Sequence, residues 1–123
     1  MDLKKNYETV FILTPVLSDV QMKDAVEKFK KILTDNGANI IHEDIWGLKN
    51  FAYPIKKKNT GFYTVLEFEA DPKTISMLEI EYRRDERVLR YITVALDKHG
   101  VAYNAKKRNK LSGKETNNEV ENN

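Results

Sequence analysis

Three consecutive lysines, Lys56, Lys57 and Lys58, follow an aromatic run in the stretch GLKNFAYPIKKKNTGFY, residues 47–63. Ammonium groups held this close together are suited to phosphate, because each charge neutralised releases counterions from a polyanion. The same run also fits a solvated edge that discourages strand-to-strand aggregation. Catalytic chemistry has less to work with. There is no cysteine, which excludes disulfides, thiolate metal sites and a cysteine nucleophile. His42 and His99 are far apart in sequence and belong to different elements, so they do not suggest a metal pair. Glu43-Asp44 and Glu79-Glu81 read as solvated acidic faces, and no carboxylate is marked as a buried acid or base. The five glycines are scattered singly, with no phosphate-cradling loop and no G-x-S-x-G elbow. No catalytic residue, metal, cofactor or small-molecule substrate is therefore expected.

The elements that must carry the lysines are legible from periodicity. Tyr7–Leu13, YETVFIL, is β-branched and aromatic and reads as a strand ending at Thr14-Pro15. Ser18 then fits a helix N-cap with Gln21 completing a capping box, and Leu17 and Met22 are placed for a hydrophobic staple. Met22, Ala25, Val26, Phe29, Ile32 and Leu33 recur at helical spacing until Asn36-Gly37 stops the helix. Residues 38–55 form a long second strand whose apolar phase changes near Gly47, as a bulge would cause, and Pro54 places it at a sheet edge. Lys56 to Gly61 is expected as a hairpin loop, with the third strand running from Gly61 to Ala70. Asp71-Pro72 opens a second helix, which Arg83-Arg84 close, and Arg87–Leu96 is the fourth strand.

The order β-α-β-β-α-β predicts an α+β, ferredoxin-like split βαβ sandwich: a four-stranded antiparallel sheet with two helices on one face. The chain has 123 residues, 41% hydrophobic and 33% charged, which suits one soluble globular domain rather than a disordered or membrane chain. Its longest apolar run, Val10–Leu13, is far short of a membrane span, and the start MDLKKNYE lacks a signal-peptide core, so a cytoplasmic location is expected. Residues 1–103 are expected to form the domain and 104–123 a flexible tail, basic over 106–114 and then acidic and asparagine-rich.

With both helices on one face, the other stays open. If Thr9, Phe11 and Leu13 face the helices, then Val10 and Ile12 lie on the open face, and Tyr63 and Val65 join them. That surface is more apolar than water exposure requires, so a protein partner is expected over it, with Trp46, Leu48, Phe51 and Tyr53 extending it along the edge strand. Alternation on a bulged strand leaves open whether Phe51 and Tyr53 face outward or pack under a helix. Lys49, Arg87 and Arg90 join Lys56, Lys57 and Lys58 as candidate phosphate contacts. The RNA-recognition strand pattern K/R-G-F/Y-G/A-F-V-x-F/Y is matched by TGFYTVLE (60–67) only at Gly61, Phe62 and Val65, which leaves base stacking on the sheet unsupported. Acylphosphatases share this topology but carry glycine and arginine in the loop after the first strand, where this chain has TPVLSDV. A ferredoxin-like interaction or regulatory module without RNA binding stays open as the alternative.

Three segments resemble one family, the bacterial small-subunit ribosomal protein numbered six: Tyr7-Glu8 opening the first strand, GLKNFAYPIKK (47–57), and DERVLRYITV (85–94). The resemblance covers about residues 5–97. It implies a ferredoxin-like fold, binding to the central domain of small-subunit ribosomal RNA, and a heterodimer with the ribosomal protein numbered eighteen. Members of the family often carry two basic residues after the Gly-Leu pair. Here Lys49 is followed by Asn50, which weakens or removes a contact at position 50.

Overall fold

The computed structural model describes residues 4–97, 100, 103 and 104. The elements are β1 (Lys5–Leu13), α1 (Asp19–Asp35), β2 (Asn39–Ile55), β3 (Lys58–Ala70), α2 (Pro72–Arg84) and β4 (Val88–Leu96). The strands form one antiparallel sheet in the order β2-β3-β1-β4, so β2 and β4 are its edges. This is the ferredoxin-like arrangement expected from the element order.

Local chemistry sets the helix ends. The Ser18 hydroxyl accepts from the Gln21 amide at 3.1 Å while the Gln21 side chain accepts from the Ser18 amide at 2.9 Å, satisfying two donors that the first turn leaves unpaired. Asn36 caps the other end and Gly37 takes φ +83°, a left-handed turn that costs glycine little. In α2 the Asp71 carboxylate accepts from the Lys73 amide at 2.9 Å and Pro72 occupies the first turn, while Arg83 and Arg84 complement the dipole at the last.

Both helices bury their apolar stripes on one face of the sheet. The rings of Phe11, Phe29 and Tyr82 meet with centroids 4.7–5.3 Å apart, surrounded by Leu13, Leu33, Leu66, Phe68 and Leu78, all fully buried. Thr9 and Tyr82 pair inside this layer: the Thr9 hydroxyl lies 3.0 Å from the Tyr82 hydroxyl and 2.8 Å from that of Thr93, whereas the buried Thr64 hydroxyl has no hydrogen-bond partner among the described residues. Burial pushes the Tyr82 hydroxyl well above the usual tyrosine range, so it stays neutral.

The expected boundaries shift at four places. β1 begins at Lys5, β2 at Asn39 and β4 at Val88, differences of the size that fraying ends produce. The larger change is the hairpin. Ile55 pairs with Lys58, so β3 starts at Lys58 rather than Gly61 and the turn shrinks to Lys56-Lys57 alone. Among the described residues no helix is long and apolar enough to cross a membrane. Of the expected tail, only Asn104 is described, with its side-chain amide 3.4 Å from a Glu67 carboxylate oxygen on the open sheet face. His99 and the charged segments beyond 104 lie outside the described residues.

Candidate nucleic-acid interface

The two turn lysines adopt φ +49° (Lys56) and +68° (Lys57). Two residues of positive φ between paired strands give the pattern of a type I′ turn, whose usual occupants are Asn-Gly. An L-residue with a Cβ in this region costs about 1–2 kcal/mol. Both lysines are exposed, and Lys58 is half-buried at the start of β3. Among the described residues none of Lys49, Lys56, Lys57, Lys58 and Arg90 has an ion-pair partner. Their charge is available to a ligand.

Arg87 differs from the other candidates. Its Nε and Nη2 donate to the two carboxylate oxygens of Asp85 at 2.9 and 2.7 Å, and Lys28 from α1 adds a third charged bond at 2.9 Å. The Arg87 hydrogen bonds hold the Asp85 carboxyl far below the usual aspartate range, against burial, which acts in the opposite direction. Arg87 thus ties the end of α2 to the start of β4, while Arg90, exposed on β4, is open to solvent.

Register decides which predicted residues meet. Val10 sits between Val65 and Ile92, and Ile12 between Tyr63 and Arg90, so these side chains share the open face. Lys49 pairs with Gly61 and joins the same face, whereas Leu48 pairs with Phe62, whose side chain packs on the helix layer. Leu48 is therefore separated from the surface it was expected to extend. Trp46 is the extra residue between the pairs Ile45–Thr64 and Gly47–Tyr63, and Gly47 takes φ +83°. This is the bulge that the phase change signalled. It lays the indole on the Tyr63 ring, centroids 5.8 Å apart and planes at 16°, and the indole N–H donates to the Asp44 carboxylate at 3.1 Å.

A second irregularity settles Phe51 and Tyr53. Between the pairs Asn50–Thr60 and Ile55–Lys58, residues 51–54 of β2 stand against Asn59 alone. The extra length folds Phe51 over the open face, where its ring meets Tyr63 at 6.2 Å, and neither aromatic packs under a helix. Gly61 makes this possible: a Cβ there would lie 2.5 Å from Ile12 Cγ2 and 2.8 Å from Phe51 Cζ. Tyr53 is 81% exposed at the rim of a 260 Å³ groove that residues 50–55 form with Tyr63 and Arg90. Trp46, Lys49 and Tyr63 line an adjoining open hollow of 550 Å³.

The open face is polarised along the strands. Lys49, Arg90 and the aromatic rings occupy the hairpin end, Glu8 and Glu67 pair at the other, and aliphatic side chains lie between, with Asp44 beside Val65 and hydrogen-bonded to the Trp46 indole. Ile12 and Val65 are only 6% exposed and offer a partner little area, whereas Ile92 is 60% exposed and Val94 44%. The last two were missing from the predicted surface. Strand four is apolar at both parities, so only its register with Val10 and Glu8 reveals which side chains face outward.

The family model described as ribosomal protein S6 matches residues 6–95. The chain is 65% identical over 108 residues to the small ribosomal subunit protein bS6 of Phocaeicola vulgatus, covering 88% of this chain and 95% of that protein. Against the protein of the same name from Bacteroides thetaiotaomicron the identity is 63%, with the same coverage. The crystal structure of 30S ribosomal protein S6 from Thermotoga maritima superposes with a TM-score of 0.74 at 29% identity, covering 89% of this chain and 98% of that one.

Proposed function

Because this chain belongs to the ribosomal protein S6 family, a structural and non-enzymatic component of the small ribosomal subunit, we propose that it binds the central domain of small-subunit ribosomal RNA together with the ribosomal protein numbered eighteen. Membership places it in the cytoplasmic ribosome. The RNA contact is assigned to Lys56 and Lys57 at the hairpin tip, supported by Lys49, Lys58 and Arg90. The observation that carries this reading is the turn: two lysines hold left-handed backbone that Asn-Gly would hold at less cost. Strain kept at an exposed basic tip supports a role in binding over a role in folding.

The protein partner is assigned to the aliphatic middle of the open face, Val10, Ile92 and Val94, backed by Ile12 and Val65. Trp46, Phe51, Tyr53 and Tyr63 lie nearer the cations at the hairpin end, and Leu48 lies on the opposite face.

The double variant Lys56→Asn/Lys57→Gly tests the RNA assignment, because its two effects have opposite signs. Removing the left-handed strain should stabilise the free protein by about 1–2 kcal/mol in urea unfolding. RNA affinity should fall by at least ~1 kcal/mol, and the slope of log affinity against log salt should flatten by about one to two units. A stabilised variant with unchanged RNA affinity and salt slope would assign the lysines to solubility and leave the hairpin without an RNA role.

A further inference from the structure

We infer that the hairpin end of the open sheet face is a stacking site for an unpaired base of single-stranded RNA, with Trp46 and Tyr63 as its platform and Lys49 and Arg90 flanking it to meet the backbone phosphates. The inference rests on the RNA-binding reading above and names a different part of the ligand, the base rather than the phosphate.

The strand pattern does not show this site because the platform is assembled across two strands. Tyr63 comes from the regular register of β3, and Trp46 comes from a bulge on the edge strand that no linear motif encodes. The rings lie nearly parallel, 16° apart and stacked with centroids at 5.8 Å, so the half-exposed indole extends a stack that a base can join. The Asp44 carboxylate holds the indole N–H at 3.1 Å, which fixes the ring before any ligand arrives. Phe51 closes one side over Gly61. Every base has a π-face, so such a platform tolerates sequence, and its energy comes from stacking beside a cationic groove.

Charge favours RNA over an apolar protein segment at this end. Lys49 and Arg90 have no ion-pair partner among the described residues, and an apolar segment would desolvate both without compensation. The carboxylates Glu8 and Glu67 pair at the opposite end of the face, so among the described residues a polyanion following the lysines of the hairpin meets only one carboxylate at the platform, that of Asp44, which is engaged by the indole N–H.

Trp46 is the single tryptophan of the chain, so emission excited on the red edge of absorption, where tyrosine does not absorb, reports on this site. The full chain is titrated with hexa-adenylate RNA and with an abasic oligonucleotide of the same length and charge. Hexa-adenylate should quench Trp46 emission and the abasic strand should not. Tyr63→Leu and Trp46→Ala, followed by anisotropy of a labelled strand, should each weaken hexa-adenylate binding roughly 5- to 100-fold, the range of one stacked base, and Trp46→Phe should restore most of it. Binding of the abasic strand should be unaltered by these three changes. Lys56→Asn/Lys57→Gly should weaken both strands equally, so loss of the phosphate contact and loss of the stacking contact are read separately. Equal quenching by the abasic strand, wild-type hexa-adenylate affinity in folded Trp46→Ala and Tyr63→Leu, or emission that responds only to the ribosomal protein numbered eighteen would each overturn the stacking site.

Discussion

Asp85 shows how a single carboxylate can decide which arginine is left for a ligand. Its side chain is 5% exposed and receives charged hydrogen bonds from Arg87, just before β4, and from Lys28 on α1. Its backbone amide also closes the last turn of α2 on Tyr82 at 3.2 Å. The folded carboxyl titrates well below its unfolded value of ~3.9, so the stability it contributes is fully present above that value and is lost as pH falls toward the folded value. Asp85→Asn should therefore cost about 2 kcal/mol at neutral pH, judged from charged hydrogen bonds whose cationic partners are partly solvated. In urea unfolding the gap between wild type and variant should narrow as pH drops below ~4. A gap that is constant from pH 7 to pH 3, or absent at pH 7, would remove the ion pair from the stability of the fold. The sequence placed Arg87 and Arg90 together as basic residues of one strand. Only the local turn, in which the Arg87 amide donates to Asp85 at 3.0 Å, separates the committed arginine from the available one.

At the scale of the element, β2 and β3 carry most of what distinguishes this chain from a plain ferredoxin-like sheet. Gly61 sits at the closest approach, with Ile12 and Phe51 where a side chain would be. Gly61→Ala should displace the Phe51 ring and cost roughly 1–3 kcal/mol through overpacking, since the buried Ile12 beside it has little room to move. Double Gly61→Ala/Phe51→Ala variants should recover part of that loss, which double-mutant-cycle unfolding measures directly; additive costs would mean the two residues do not compete for space. Much of this hairpin was legible beforehand. The edge position follows from Pro54, and the bulge follows from the change of apolar phase at Gly47, because both leave a mark on local alternation. The turn length was misread because Asn59, Thr60 and Gly61 are turn-forming types, yet Gly61 serves close packing and the positive-φ positions fall on lysines, which no propensity would choose. The faces of Phe51 and Tyr53 could not be read at all. Four residues against one on β3 destroy alternation, and the partner strand, not the local sequence, sets where each ring goes.

For the whole molecule the useful quantity is the arrangement of charge, since the total is only +2. Two helices cover one face of a four-stranded sheet, and the open face divides into a cationic aromatic end, an aliphatic middle and an acidic end. Such a division lets two macromolecules approach one small domain without competing for the same side chains. On the function proposed above, RNA would meet the hairpin and its neighbouring rings, and the protein partner would meet β1 and β4. The exposure of Ile92 gives the test its leverage, because a side chain 60% exposed contributes little to the core and can be changed without unfolding the sheet. Ile92→Glu places a charge at the centre of the aliphatic patch, where a docked partner would have to desolvate it. Affinity for the ribosomal protein numbered eighteen should fall at least tenfold, about 1.4 kcal/mol, while unfolding free energy should change by no more than about 1 kcal/mol, the span of strand propensities. Hexa-adenylate binding should weaken less than twofold, since the substitution lies outside the aromatic end. If the folded variant keeps wild-type affinity for the partner protein, β4 is not its docking strand; if RNA and protein binding fall together by the same factor, the two ends of the face act as one site and the division is wrong.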